Sequence, residues 1–111
     1  MPAKVEKVTD QEFHDRVLGS LRPSVVEFWA TWCAPCRRLD EVIEAIAQEY
    51  DGKVAFFKVD VNESSGTASR YAVRSIPMLL FFNGGEVVDQ AVGPLSREAL
   101  QEKVDKLLAQ R

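Results

Sequence analysis

Trp29-Ala30-Thr31-Trp32-Cys33-Ala34-Pro35-Cys36 is the stretch on which the fold turns. Ahead of it, Ser24 to Ala30 is rich in β-branched and aromatic residues without polar alternation, the pattern of a central strand buried on both faces. Behind it, from Ala34 to Tyr50, the residues Cys36, Leu39, Val42, Ile43, Ile46, Ala47 and Tyr50 recur as one apolar stripe, with Arg37, Arg38, Glu41 and Glu44 on the other side. A buried strand running into an amphipathic helix predicts that Cys33 sits at or just before the first helical turn. Unpaired N–H groups and the positive end of the helix dipole stabilise an anion there. Thiolate, not thiol, attacks disulfides, so this position favours Cys33 as a nucleophile. Cys36, three residues on, falls nearly one turn later on the same face, within the separation a disulfide tolerates. Pro35 loses no hydrogen bond in a first turn, and its fixed φ suits a helix start.

Working outward, the chain alternates between strand-like and helix-like segments, which predicts an α/β fold. Thr9-Asp10-Gln11-Glu12 fits a capping box and opens a helix over roughly 10–19 that carries Phe13, Val17 and Leu18. Lys53 to Val61 reads as a second core strand, Asn62 to Gly66 as a turn and Thr67 to Ala72 as a short helix. Met78 to Phe82 and Val87 to Ala91 flank Asn83-Gly84-Gly85, a hairpin signal that makes these strands antiparallel. Ser96 caps a final helix with Leu100, Val104, Leu107 and Leu108 on one face. Phe56, Phe57, Phe81 and Phe82 read as sheet core, while Trp29 suits either the core or the wall of a site.

With 111 residues, 46% of them hydrophobic, the chain has the size of a single domain spanning 1–111. A formal net charge of −3 provides no strong basic field, so nucleic acid is not an expected partner. The apolar run around Ile76 to Phe82 is too short to span a bilayer, and no membrane association is expected. Charges at Lys4, Glu6 and Lys7 stand where a signal peptide needs an apolar stretch, and a cytoplasmic location is the expectation. Two cysteines three positions apart exclude a scaffold held by several disulfides, and so small a loop makes a poor stabilising bridge. Reactivity is the better account of the pair. Zinc fits poorly, since four ligands are usual and the single histidine, His14, lies far off in sequence; His14 reads as a surface or helix-packing residue, and no metal site is expected.

Phe28-Trp29-Ala30 through Trp32-Cys33-Ala34-Pro35-Cys36, then Lys58-Val59-Asp60, Ile76-Pro77, Asn83-Gly84-Gly85 and Val92-Gly93 together resemble the thioredoxin family over nearly the whole chain. The resemblance implies a three-layer α/β/α thioredoxin fold with a central mixed sheet of about five strands and about four helices. It implies a monomeric protein-disulfide reductase in which Cys33 attacks a client disulfide and Cys36 resolves the mixed disulfide. No bound cofactor is implied, only the redox-active Cys33-Cys36 disulfide, with NADPH and FAD acting through a partner thioredoxin reductase. Glu27 occupies the place of a buried Asp that helps deprotonate the resolving cysteine, and Lys58 resembles its basic neighbour. Pro77 matches the family's cis-proline, beside which the backbone of Ile76 pairs with a client segment. Trp32, Ala34, Pro35 and Gly93 complete the implied client surface, Gly93 by leaving a shallow groove.

Four residues depart from the family pattern. Glu27 is one methylene longer than the usual Asp, and Ala34 replaces the commoner Gly, a change able to shift thiolate pKa or reduction potential. Glu41 stands where a helix-kinking Pro is frequent, which implies a straighter helix. Met78 replaces the usual Thr after the proline, implying a more apolar client groove. Other readings stay open at this level: a redox-independent binding subunit or chaperone on the same fold, a disulfide oxidase or isomerase, and, for Glu27, a purely structural carboxylate at a sheet edge or paired with Lys58.

Overall fold

A computed structural model describes residues 5–110. Lys4, part of the N-terminal charge noted above, and the outermost positions of the expected 1–111 domain lie outside the described residues. The elements run β1 (Val5–Lys7), α1 (Asp10–Phe13) continuing as a π-helical turn (His14–Leu18), β2 (Ser24–Trp29), α2 (Ala34–Glu49), β3 (Ala55–Asp60), α3 (Ser65–Arg70), β4 (Met78–Asn83), β5 (Glu86–Val92) and α4 (Arg97–Ala109). The five strands form one mixed sheet in the order β1-β3-β2-β4-β5. β1, β3 and β2 are parallel, and β4 and β5 run antiparallel. β2 is thus the central strand, as its unbroken apolar composition predicts.

Side chains alternate across β2, so the sheet has two distinct faces. Val25 points into a core built with Leu39, Ile43 and Ile46 of α2 and with Leu100, Val104 and Leu107 of α4. Val26 and Phe28 point into a second core with Phe13 and Val17 from the first helical segment and Ala68 of α3. The phenylalanine pairs divide the same way: Phe56 and Phe81 enter the first core, Phe57 and Phe82 the second. Each fully buried side chain of this size contributes roughly 1.5–3 kcal/mol, and both layers of helices are held on the sheet by this burial.

Several boundaries differ from the sequence expectation for local reasons. β1 was not expected, because three residues of pattern Val-Glu-Lys carry no alternation long enough to read; pairing of Val5, Glu6 and Lys7 with Phe56, Phe57 and Lys58 makes the strand. The first helical segment ends at Leu18, β2 at Trp29 and α2 at Glu49, each one residue short, and β3 occupies only 55–60 of the expected 53–61. α3 lies two residues earlier than expected. It stops at Arg70 because Ala72 takes φ +54°, letting Ala72 N–H reach the Ser69 carbonyl and Val73 N–H the Ala68 carbonyl. In the hairpin, Gly84 (φ +63°) and Gly85 (φ +83°) make the turn, and Asn83 stays in β4 opposite Glu86. The capping box of Thr9 and Glu12 is present as expected, and the Glu12 carboxylate accepts from both the N–H and the hydroxyl of Thr9.

Candidate active site

β2 ends at Trp29 and α2 begins at Ala34, so Ala30 to Cys33 form the short link that brings the two cysteines to the end of the sheet. Cys33 is the N-cap of α2, with extended backbone (φ −96°, ψ 103°), and Pro35 stands in the first turn. The Cys36 N–H donates to Cys33 Sγ at 3.2 Å, so one of the helix-end donors that have no intrahelical acceptor is aimed at the sulfur. Cys33 and Cys36 are joined as a disulfide with Cα atoms 5.3 Å apart. Cys36 is fully buried, while Cys33 keeps 4% of its surface open. Arg37 pins the link by donating to the Thr31 carbonyl at 2.7 Å.

Around the pair, Ala30 is buried with both cysteines, and Trp29, Val61 and Ile76 pack against them. Trp29, for which core and site wall were both open, is therefore half-buried wall. Trp32 projects outward, 68% exposed. The Ile76-Pro77 peptide is cis, and the Pro77 carbonyl accepts from Gly93 N–H at 2.8 Å, tying the loop before β4 to the end of β5. Gly93 has φ +88°, and a side chain built on it would meet nothing within 4 Å, so the glycine leaves open space at this edge. Ala34 is exposed and Pro35 half-buried. The structure thus gathers Cys33, Cys36, Ile76 and Trp29 in one cluster, with Pro77 and Gly93 linked to each other through their backbones.

Glu27 lies beneath this surface. It is 1% exposed on the central strand, opposite Lys58 on β3 and Leu79 on β4, which removes the sheet-edge reading. Neither carboxylate oxygen accepts a hydrogen bond from a protein donor. Burial pushes the Glu27 carboxyl up to about 9; the acidic side chains of Asp40 and Glu44 on α2 add to that, and Lys58 opposes it. The Lys58 ammonium stacks over the Trp29 ring, 4.8 Å from its centroid, and so spends its charge partly on the wall of the site. The indole N–H of Trp29 is buried without a partner.

Two departures behave differently from expectation or stand outside the site. Met78 is only 8% exposed and packs in the second core, so its thioether fills the interior and does not line an open groove. Glu41 is exposed on an α2 that runs unbroken from Ala34 to Glu49. Asp40 was missed in the sequence, although its spacing of four from Cys36 was the signal: that spacing puts it on the cysteine's face of α2. Among the described residues, no three His, Cys, Asp or Glu side chains are grouped to hold a metal ion, and no helix is long and apolar enough to cross a membrane.

The family model described as Thioredoxin matches residues 4–106. A thioredoxin M-type of pea, described as chloroplastic, is 42% identical over 105 residues, covering 95% of this chain and 61% of its own. Thioredoxin 2 of Chlorobaculum tepidum is 43% identical over 106 residues, covering 96% and 97%. A thioredoxin of Staphylococcus epidermidis is 44% identical over 104 residues, covering 94% and 98%. The chain therefore spans about three fifths of the plant relative and nearly the full length of the two bacterial ones.

Proposed function

As the chain belongs to the thioredoxin family, we propose that it is a general protein-disulfide reductase. The observation that carries this is the Cys36 N–H aimed at Cys33 Sγ from the first turn of α2. Once the pair is reduced, that donor and the helix dipole favour Cys33 as thiolate. The thiolate attacks one sulfur of a client disulfide, forming a Cys33–client bond and releasing the client's other sulfur. Cys36, deprotonated with the help of Glu27, then attacks Cys33, restores the intramolecular disulfide and releases the reduced client. Burial of Cys36 keeps its thiol from competing for clients in the first step.

The client lies as an extended segment along the surface formed by Trp32, Ala34, Pro35, Ile76, Pro77 and Gly93, its backbone pairing with that of Ile76. The open space at Gly93 and the exposure of Trp32 support this placement. Lys58 is assigned to tuning Glu27. A thioredoxin reductase that draws on NADPH and FAD returns the electrons, and this chain itself binds neither. We take residues 1–111 as one domain acting as a monomer in the cytoplasm, a reducing compartment in which a dithiol reductant is kept reduced; relatives with chloroplastic names make cell fractionation the deciding measurement.

The test is turbidity from insulin in the presence of dithiothreitol. The protein accelerates it above dithiothreitol alone, Cys33→Ser removes the acceleration, and Cys36→Ser accumulates covalent client adducts. No acceleration by the unaltered protein sinks the assignment. A doubly substituted Cys33→Ser/Cys36→Ser chain that kept every cellular function would favour the redox-independent binder, and a strongly oxidising reduction potential of the cysteine couple would favour the oxidase or isomerase.

A further inference from the structure

Glu27 is buried without a hydrogen-bond donor and has no surface of its own through which to exchange a proton. Alternation along β2 turns it, like Val25, toward α2. On α2, Asp40 follows Cys36 by four residues and so lies on the cysteine's face, and the charge of Glu44, one turn further on, also reaches Glu27. Cys36 is fully buried, Asp40 is half-buried, and Lys58 approaches from β3 with its ammonium over Trp29. The Asp40 side chain is close enough to Glu27 to help keep its carboxyl protonated. Glu27 on β2 thus faces the stretch of α2 that carries both a buried thiol, Cys36, and a side chain that meets water, Asp40.

We propose that Asp40 is a positioning residue for the second half of the exchange, taking the proton that Glu27 gives up as Glu27 receives one from Cys36, and passing it to solvent. This rests on the reductase assignment above. In the mixed disulfide the Cys36 S–H bond breaks, and its proton goes to one Glu27 oxygen as the proton on the other oxygen moves to the Asp40 carboxylate. The Cys36 sulfur then bonds to Cys33 Sγ using its electron pair. The Cys33–client bond breaks, and the client sulfur leaves as thiolate with that bond's electrons. Asp40 loses the transferred proton to water. Glu27 ends with as many protons as it began, so it need not ionise in its buried position.

The relay lets Glu27 keep a proton throughout, so resolution continues below the pH at which the Glu27 carboxyl takes one up. With Asp40 gone, resolution stops when Glu27 alone is protonated, at a higher pH. If Asp40 were merely a repelling neighbour and Glu27 had to be ionised, its removal would help resolution instead. The two roles therefore move the acid limb of the rate in opposite directions. Glu44 and Lys58 remain in place in both cases.

The experiment mixes reduced protein rapidly with excess insulin and quenches in acid. Cys33 attack is counted from formation of the covalent adduct, and resolution from its decay, between pH 5.5 and 9.5. For Asp40→Asn the relay predicts resolution about tenfold slower than wild type near pH 6, a ratio returning to about one near pH 9.5, and unchanged adduct formation. Asp40→Glu restores the ratio at pH 6. A ratio that is flat across pH, or above one near pH 6, overturns the relay while leaving the reductase assignment standing. Failure of the wild-type protein to form any adduct overturns the reductase assignment itself.

Discussion

Two carboxylates in this protein have opposite surroundings. Asp10, at the start of α1, accepts from Gly66 N–H at 3.1 Å, from Thr67 N–H at 2.8 Å and from the Thr67 hydroxyl at 2.6 Å. It thereby caps α3 from another helix, and the Thr67 hydroxyl above all holds its carboxyl below the usual range. Glu27, in the middle of the sheet, is given no such donor and is driven upward by burial. The junction of α1 and α3 is built to keep a charge. The base of the cysteine site is built to make one expensive, and the difference separates a residue that holds the fold from one whose protonation can be used.

That contrast is broken or sharpened most strongly by Glu27→Gln. The native carboxyl stays protonated up to about 9, whereas the unfolded one ionises near its ordinary value of 4.5. Between these values the folded state holds the extra proton, so Glu27 lowers stability as pH rises through the window. Denaturant titrations should find Glu27→Gln close to wild type at pH 4 and more stable by on the order of a few kcal/mol at pH 9. A difference that stays level with pH would mean that burial does not hold the Glu27 proton.

A smaller effect of opposite sign belongs to Asp10→Ala, which strips three donors at the N-terminus of α3. A loss of about 1 kcal/mol is expected at pH 7, as for other caps. Because the folded-state pKa is lowered, the loss is complete above 3.8 and fades as pH falls through the depressed value. Thermal melts at pH 7 and in acid check this, and an equal loss at both would assign the effect to packing. Smallest is Thr67→Val, which removes one hydroxyl donor and keeps both backbone ones; about 0.5–1 kcal/mol of stability should go, with the Asp10 titration moving toward its ordinary value. Its carbon-detected carboxyl resonance reports that movement, and no shift would remove the hydroxyl from the explanation.

Much of the cysteine site was legible because its parts are local. The helix start at Ala34, the placement of Cys33 as N-cap and the burial of Cys36 all follow from residues within one turn of each other. The resemblance supplied what spacing could not, the nearness of Ile76 to cysteines some forty positions away, and the structure bears this out. Less was readable where partners come from distant strands. Met78 was expected at the groove and lies in the core, because its side is set by pairing with Phe28 and Val92. The Asp10 cap on α3 bridges fifty-six or more positions and left no mark in the composition.

By itself, the sequence determined which segments other than β1 become strand or helix, since apolar periodicity and the cap, turn and proline residues act over a few positions. It also determined the chemistry available, two sulfurs at the mouth of a helix. Only the tertiary structure decided that β2 is flanked by β3 and β4, and with it that Glu27 is buried between Lys58 and Leu79. It also made a strand of Val5 to Lys7 and turned Lys58 onto Trp29. The physical reason is that burial and charge depend on everything packed around a group, while backbone preference depends mainly on its neighbours in the chain.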